Sequence, residues 1–314
     1  MSPRKRSRPA RPRDGARRRS RSPLSWLGFA LAGAALVAIG FWLGGRSLEL
    51  PSIRPPLAKK SAAQGSRART DSSTHRSTDP APATGAPHRA ARLALVIDDL
   101  GRSLEEIERL RALDVPLSYA VLPFETMTSE VLAALAAAHA EVLCHLPMEP
   151  KGRQNPGRGA LVEGMEPAAL AVAAERAIAA VPGATGVNNH MGSRISEDPA
   201  AMTAILEVVK RRGLFFLDSR TTSGTVAFDL ARRAGLPAAR RQVFLDPEID
   251  REKIRSEVER WVELARRDGA AIAIGHPHPA TLDVLAVEIP RALAAGIEFV
   301  PVSYLLERGE DLPE

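Results

Sequence analysis

LALVIDDLG, at residues 93–101, is the segment that decides the fold. Five apolar residues, 93–97, are followed at once by Asp98 and Asp99. A continuous apolar run of this length is typical of a strand in a parallel sheet that is covered on both faces. In such sheets the ligand site lies at the carboxyl ends of the strands. The segment therefore predicts a buried parallel strand that ends in a polar site.

From Arg92 onward, short apolar runs alternate with longer segments whose apolar residues recur at helical spacing. The strand-like runs are 93–97, 117–122, 141–146, 185–189, 214–218, 242–246, 271–275 and 298–303. The helical segments between them are 103–113, 127–138, 167–181, 199–212, 225–234, 250–267 and 281–295. This alternation predicts an α/β fold of parallel strands with helical crossovers. Periodicity alone leaves open whether the sheet closes as a barrel or stays open and doubly wound.

Polar side chains follow six of the eight predicted strands directly. Because the carboxyl ends of parallel strands share one face of the sheet, we expect these side chains to meet there. They are Asp98, Asp99, His145, Asn188, Asn189, His190, Asp218, Ser219, Arg220, Asp246, His276 and His278.

The two adjacent aspartates can divide the chemistry between them. Neighbouring strand residues point to opposite sides, so Asp98 and Asp99 both reach the site only if the strand breaks there. One would then bind a metal and the other would hold or remove a proton. The alternative is that the pair caps the helix predicted at 103–113.

The imidazoles and the polar cluster at 186–194 supply further candidates. His145 ends one strand and Glu149 follows four residues later, while His190 stands next to Asn189 in GVNNHMGSR. Imidazole and carboxylate groups are common metal ligands. We expect Asn189 and Arg194 to contact the substrate, although an ion pair of Arg194 with Glu197 or Asp198 explains that arginine equally well.

Two further strand ends complete the predicted site. His276 is placed where a general acid is useful, and His278 lies two residues on in the run HPHP. That run also fits a structured turn. Asp218 would orient a histidine through its second ring nitrogen.

The N-terminal third of the chain has a different composition. Residues 1–24 contain ten Lys or Arg and one acid, and 25–45 contain no charge and a long apolar run. About 20 apolar residues span a bilayer core, and the cationic flank predicts a cytoplasmic N-terminus. We therefore expect a basic tail, a single inner-membrane anchor at 25–45 and a periplasmic C-terminal part. A cleaved signal peptide is the alternative. Residues 46–91, rich in Pro, Ser, Ala and Thr, are predicted to form a disordered linker.

The charge of the chain is divided between its two parts. Of the 43 basic and 37 acidic residues, 24 and 33 fall within 93–314, so the C-terminal domain is acidic although the chain carries +6. A nucleic-acid-binding domain is therefore not expected. The single cysteine, Cys144, excludes an internal disulfide.

Taken together, these segments resemble the divergent polysaccharide deacetylase family, also called YibQ-like, a distant branch of the NodB-type carbohydrate esterases. The stretches that carry the resemblance are LALVIDDLG, LSYAVLPF, HLPMEP, VNNHMGSR, RGLFFLDSRT, VFLD, IAIGHPHPATL and FVPVSYLL, which together span 93–306. The resemblance implies a distorted (β/α) barrel of the NodB type over residues 92–314.

The resemblance also implies roles for individual residues. Asp98 would be the catalytic base, Asp99 a metal ligand and His276 the general acid. The family's second motif has two histidines four residues apart, but here only His145 matches and Glu149 takes the later place. If His190 supplies the missing ligand, Asp99, His145 and His190 would hold Zn²⁺ or another divalent ion.

The function that follows is a metal-dependent hydrolase that removes acetyl groups from an N-acetylated polysaccharide of the cell envelope. Glu149, Asn189, Arg194, Asp218 and His278 would contact the substrate or support the site. Because the second motif is incomplete, a non-catalytic, membrane-tethered envelope factor that binds glycan or protein is the alternative. A barrel phosphoesterase, which Arg194 and Arg220 would suit, is a further one.

Overall fold

The computed structural model describes residues 90–308. The predicted basic tail (1–24), anchor (25–45) and linker (46–91) lie outside the described residues, apart from Ala90 and Ala91. Within 90–308, no helix combines the length and the apolar character needed to cross a bilayer.

Parallel strands and helices alternate along the described part of the chain. Its strands are β1 (Arg92–Leu100), β2 (Ser118–Val121), β3 (Glu141–Met148), β4 (Gly186–Met191), β5 (Phe215–Asp218), β6 (Ala238–Arg240), β7 (Val243–Phe244), β8 (Ala270–Gly275) and β9 (Glu298–Phe299). Its helices are α1 (Leu104–Arg111), α2 (Thr128–Ala137), α3 (Pro167–Ala179), α4 (Pro199–Arg211), α5 (Ala227–Arg233), α6 (Arg251–Asp268), α7 (Pro279–Ala294) and α8 (Val302–Glu307).

The strands form one parallel sheet in the order β6-β5-β4-β3-β2-β1-β8-β7, and β9 adds to β1. The two ends of this order, β6 and β7, are consecutive in the chain and are joined only by Arg241 and Gln242. The first half of this extended segment pairs with β5 and the second half with β8. The sheet is therefore curled until one segment contributes to both of its edges. This confirms the predicted parallel α/β architecture, and the sheet is curled rather than flat and doubly wound.

Strand β1 is the centre of the sheet. One of its edges pairs with β8 from Arg92 to Ile97. The opposite edge is shared, because Arg92 and Leu93 pair with β9 and Val96 onward pairs with β2. This position surrounds the apolar run 93–97 with protein on all sides, and each of those side chains is fully buried.

Side chains of alternating strand residues fill two apolar layers. The outer layer lies between the sheet and the helices and includes Leu93, Leu95 and Ile97. The inner layer lies within the curl and includes Ala94 and Val96 of the same strand. Asp98, two residues beyond Val96, continues the inner row.

Helix α8 covers the end of the curled sheet where the strands begin. Val302 and Leu305 of this helix belong to the inner layer. Glu141, the first residue of β3, accepts hydrogen bonds from the backbone N–H groups of Val302 at 2.9 Å and of Ser303 at 3.2 Å. Ser118 Oγ, at the start of β2, donates to the same carboxylate at 2.6 Å. The amino end of the sheet is thus closed, and the carboxyl end carries the polar residues.

The sequence pattern missed two elements of this part of the chain. The predicted strand 298–303 is a strand only at Glu298–Phe299, and α8 begins at Val302. The predicted strand 242–246 is reduced to Val243–Phe244, while the preceding β6 was not predicted. The first error arises because a short apolar run fits a strand and a buried helix equally well. The second arises because β6 has the sequence AAR, which contains no strand-favouring residue.

Candidate active site

Asp98 and Asp99 both reach the carboxyl end of the sheet because β1 is irregular there. The register between β1 and β2 shifts between Ile97 and Leu100, so an extra residue is accommodated on β1. Asp99 takes the left-handed conformation, with φ of 62°. This backbone turn brings the Asp99 side chain to the same cleft as Asp98, as the sequence required. Neither aspartate accepts a capping hydrogen bond from α1, whose N-cap is Ser103.

Three potential metal ligands from three different strand ends converge at one point. Oδ1 of Asp99 lies 2.8 Å from Nδ1 of His190 and 3.2 Å from Nε2 of His145. The two ring nitrogens are 3.1 Å apart. Two ligand atoms of one tetrahedral Zn²⁺ ion are about 3.3 Å apart when the bonds are about 2.05 Å, so the three separations are close to those of a common ligand set.

One carboxylate oxygen of this cluster has a vacant bonding position that a cation could fill. Oδ1 of Asp99 is buried, yet no N–H is directed at it with the geometry of a hydrogen bond. A buried carboxylate oxygen that lacks a donor carries a free-energy cost that a bound cation would remove. The residues present therefore fit a divalent metal ion held by one carboxylate and two imidazoles.

Asn188 fixes the orientation of His145. Its Nδ2 donates to Oδ1 of Asp98 at 2.8 Å, so its Oδ1 faces Nδ1 of His145 at 2.9 Å. Since an amide oxygen only accepts, Nδ1 of His145 carries a proton, and Nε2 is the atom that would present a lone pair to a bound metal ion. This is the arrangement that metal-binding histidines use, with the second ring nitrogen held by a hydrogen bond.

The electrostatic environment differs between the two aspartates. Burial raises the pKa of Asp98 above its ordinary value, and this outweighs the opposing charges of His145 and His276. Burial also acts to raise the pKa of Asp99, but the adjacent imidazoles of His145 and His190 hold it far below the usual range. Asp99 is therefore the permanently ionised member of the pair, while Asp98 has the stronger affinity for a proton.

His276, at the end of β8, is held by Asp246. Nδ1 of His276 lies 2.9 Å from Oδ1 of Asp246, whose Oδ2 accepts the backbone N–H of His276 at 2.8 Å and the Thr281 hydroxyl at 2.7 Å. Burial acts to lower the pKa of His276, but the Asp246 hydrogen bond and the charge of Asp98 raise it to about 9. His276 is thus protonated at neutral pH, with Nε2 as its remaining donor.

These groups line one cleft of about 450 Å³ at the carboxyl end of the sheet. Asp98, Asp99, His145, His190 and His276 all contribute to its wall. Arg220, Arg241 and Phe244 line the same cleft. A volume of this size accommodates one or two sugar residues, within the usual range for small-ligand sites.

Glu149 and Arg194, which were predicted to contact the substrate, are not among the residues that line this cleft. Glu149 Oε2 accepts the backbone N–H of Glu163 at 2.6 Å, and its Oε1 is 3.4 Å from Nε of Arg194. Arg194 also pairs with Glu163 at 3.2 Å. The three residues fasten the connection between β3 and α3. The physical reason is that β3 ends at Met148, so Glu149 already belongs to that connection.

Asp218 holds the segment that follows β5. Its Oδ2 accepts from the Thr225 hydroxyl at 2.8 Å and from Phe228 N–H at 3.3 Å, and its Oδ1 accepts from Arg220 N–H at 2.8 Å. It contacts no histidine, so the prediction that it orients one is wrong. That position belongs to Asp246, because β7 neighbours β8 whereas β5 does not.

Asn189 and His278 are the other two residues that were predicted to contact the substrate. Asn189 lines the cleft, but its amide holds the loop by donating to the Met191 carbonyl and accepting from Ser219 N–H, at 2.8 and 2.9 Å. His278 stands at the N-terminus of α7 with its ring centroid 5.6 Å from that of His276.

Asn188 and Asp246 were expected at the site from the sequence, but no specific role was assigned to either of them. The signal for both was present, since each follows an apolar run at a predicted strand end. What the sequence lacked was the strand order, which decides that Asn188 meets Asp98 and His145 and that Asp246 meets His276.

This chain is similar in sequence to known bacterial proteins. The chain is 37% identical over 224 residues to the uncharacterized protein YibQ of Escherichia coli K12, a match that covers 71% of this chain and 70% of that protein. An uncharacterized protein of Haemophilus influenzae Rd is 33% identical over 223 residues, which cover 71% of this chain and 79% of the relative.

A crystal structure with the same fold belongs to an uncharacterized protein of Agrobacterium tumefaciens C58. It is 25% identical, superimposes with a TM-score of 0.65, and the match covers 70% of this chain and 91% of that one. The sequence model of the divergent polysaccharide deacetylases matches residues 95–306, which include every strand end that contributes to the cleft. This chain therefore belongs to the divergent polysaccharide deacetylase family.

Proposed function

We propose that the protein is a metal-dependent hydrolase that removes the acetyl group from an N-acetylated polysaccharide of the cell envelope. The observation that carries the proposal is the convergence of Asp99, His145 and His190 on one point of a cleft that also contains Asp98 and His276. A ligand set, a base and an acid are the groups that metal-assisted amide hydrolysis requires.

Asp99, His145 and His190 would hold the divalent ion, with Zn²⁺ as the first candidate. When bound, such an ion lowers the pKa of a coordinated water and polarises a carbonyl oxygen. Asn188 contributes by keeping the proton of His145 on Nδ1. Three protein ligands leave positions for water and substrate, as in other catalytic sites of this kind.

Asp98 would act as the general base. Its carboxylate is buried beside the ligand cluster, with Oδ2 at 3.6 Å from Nε2 of His145. The hydrogen bond from Asn188 fixes the position of Oδ1. A pKa above the ordinary value of an aspartate makes Asp98 a better proton acceptor near neutral pH.

His276 would act as the general acid that protonates the leaving amine. Its pKa, about 9 in the metal-free protein, favours the protonated form at neutral pH. Asp246 holds Nδ1, which leaves the Nε2 proton for transfer. The acid and the base therefore have separate partners. Asp246 keeps His276 protonated, and Asn188 holds the carboxylate of Asp98 in position.

The substrate class follows from the family, and the cellular location follows from the sequence. Members of a polysaccharide deacetylase family are expected to act on N-acetylated glycans, of which peptidoglycan is the envelope example. The apolar segment at 25–45 would anchor the chain in the inner membrane and place the domain in the periplasm.

Acetate release tests the proposal. The full chain, purified with detergent, is incubated with chitotetraose and with peptidoglycan fragments, before and after treatment with a chelator and after return of Zn²⁺. We expect acetate release that is lost with the chelator and restored by the metal. Asp98→Asn should lower the rate by about 10²–10⁴-fold without loss of metal, because it removes only the base. Asp229→Asn, which changes an exposed carboxylate on α5, is the matched control.

The alternative is a binding protein of the envelope that uses the same fold without catalysis. It is favoured by Glu149, which stands where the family has its second histidine and pairs with Arg194 instead. Metal binding without acetate release from either substrate would support this alternative and contradict the hydrolase.

A further inference from the structure

Two arginines line the cleft beside the ligand cluster, and the proposed reaction uses neither of them. Arg241 lies on the short connection between β6 and β7, and Arg220 follows β5. Hydrolysis of a neutral acetamide requires one metal, one base and one acid. Two additional positive charges in the same cleft therefore require a separate explanation.

Arg241 is half-buried and is held by neutral partners. Its Nε donates to the Ser219 carbonyl at 2.7 Å and its Nη2 donates to the Arg220 carbonyl at 2.9 Å. Its guanidinium lies 4.8 Å from the centre of the Phe244 ring. These contacts fix the plane of the guanidinium, but none of them neutralises its charge.

The nearest carboxylates are occupied by other groups. Asp98 accepts from Asn188, and Asp218 accepts from Thr225, Phe228 and the backbone of Arg220. Within the part of the chain that the structure describes, neither Arg220 nor Arg241 lies within ion-pair distance of a carboxylate. Burial and the charge of Arg220 lower the pKa of Arg241 to about 10, and they outweigh the charges of Asp98 and Asp218, which act to raise it.

A partly buried guanidinium with no carboxylate at ion-pair distance is unfavourable, and an anionic ligand would relieve that cost. The planar fork of arginine matches the paired oxygens of a carboxylate or a phosphate. A purely structural role accounts for the contacts of Arg241 with the carbonyls of Ser219 and Arg220. The side chain of Arg220 is exposed and lies on the wall of the same cleft, where it can add a second positive charge to a ligand contact.

We propose that Arg220 and Arg241 form an anion subsite, so that the substrate is an acidic glycan that carries a carboxylate or phosphate close to its acetamido group. This inference rests on the proposed function for the identity of the ligand as a glycan. It adds that a neutral N-acetylated polymer such as chitin is a poorer ligand than an acidic envelope polysaccharide.

Binding of three related sugars tests this subsite without any need for turnover. N-acetylglucosamine is neutral, N-acetylmuramic acid adds a carboxylate, and N-acetylglucosamine 6-phosphate adds a phosphate. Ligand-observed NMR titration of the full chain in detergent gives the three dissociation constants. We expect at least one acidic sugar to bind about tenfold more tightly than the neutral one, as a charge-assisted contact provides. The preferred sugar identifies the anion.

Arg220→Asn is the decisive variant. It removes the charge, asparagine tolerates the left-handed backbone at this position (φ 49°), and the carbonyl that Arg241 holds is retained. The preference for the acidic sugar should fall to about twofold or less, with the affinity for N-acetylglucosamine unchanged. Arg153→Gln removes an exposed charge outside the cleft and should keep the full preference, which separates a local contact from general attraction to a basic chain.

Equal or undetectable binding of all three sugars by the wild-type chain would overturn the subsite, as would an acid preference that survives in Arg220→Asn. The hydrolase proposal fails separately, by absence of acetate release, and an acid preference in such a protein would still support the subsite.

Discussion

Nδ2 of Asn188 donates a hydrogen bond of 2.8 Å to Oδ1 of Asp98, and its amide oxygen lies 2.9 Å from Nδ1 of His145. One amide side chain thus contacts both the proposed base and a proposed metal ligand. Its orientation is fixed, because only the NH₂ group can face the carboxylate. The state of Asp98 and the tautomer of His145 are therefore coupled through a single residue.

Replacement of Asn188 by alanine should weaken metal binding without removing a ligand. His145 would lose the acceptor for its Nδ1 proton, and loss of such a partner typically costs 10- to 100-fold in metal affinity. Competition with a chromophoric chelator measures the Zn²⁺ dissociation constant. Thr203→Ala, on the exposed face of α4, is the control. Unchanged affinity in Asn188→Ala would mean that the amide does not set the state of His145.

Asp99 and Glu149 make a matched pair of carboxylate substitutions. Asp99→Ala removes the oxygen on which both imidazoles converge, so we expect this variant to lose the divalent ion that we propose for the wild-type protein. Glu149→Ala removes a contact with Arg194 and should leave the metal content unchanged. Elemental analysis of the purified variants distinguishes the two. Retention of metal by Asp99→Ala together with loss in Glu149→Ala would reassign the ligand.

Asp246 should control the protonation of His276. In the metal-free protein the pKa of His276 is about 9, and Asp246→Asn removes a hydrogen bond and a negative charge that raise it. We expect the pKa to fall toward the ordinary value of about 6.5. NMR titration of the His276 ring proton measures it, with Asp229→Asn as the control. An unchanged pKa would show that Asp246 does not hold the proton of His276.

The same shift predicts a pH dependence of stability. Because the folded pKa of His276, about 9, exceeds the unfolded value, its protonated form stabilises the fold fully below about pH 6.5. That contribution is lost as the pH rises through about 9. The difference in unfolding free energy between wild type and His276→Asn should therefore shrink between pH 6 and pH 10, as measured by urea denaturation of the metal-free proteins. A difference that is constant with pH would contradict the assigned shift.

Gly186 should be intolerant of a side chain for a purely steric reason. A Cβ at this position of β4 would lie 2.4 Å from the ring of Phe215, which is buried in the inner apolar layer. Overpacking of this kind costs about 1–3 kcal/mol, so Gly186→Ala should lower the unfolding free energy by that amount. Phe215→Leu in the same chain should recover part of the loss. Equal stability of Gly186→Ala and wild type would show that the two strands separate easily.

The comparison of Asp218 with Asp246 shows where inference from the sequence stops. Both end an apolar run with the letters FLD, and both are buried acids at the carboxyl end of the sheet. Only Asp246 meets His276, because β7 lies beside β8. The local sequence pattern predicts which residues end strands. The lateral order of the strands in the sheet is set by packing between segments that lie far apart in the chain.

Asp99 illustrates the opposite case. The requirement that both aspartates reach one cleft implied a break in β1, and the structure supplies it as a register shift with φ of 62° at Asp99. In β3 the side chains alternate regularly, so Cys144, next to His145, points away from the site and its thiol is buried in the outer layer.

The position of α8 has a consequence for synthesis on the ribosome. Val302 and Leu305, which complete the inner apolar layer, are among the last residues of the described chain to be translated, and β9 reaches its place beside β1 only shortly before them. Strand β1 therefore acquires its last neighbouring strand only when nearly the whole domain has been synthesised. We therefore expect the inner apolar layer to be completed only after Leu305 has been synthesised, and a nascent chain that stalls before residue 302 to leave the apolar interior of the curl uncovered at that end.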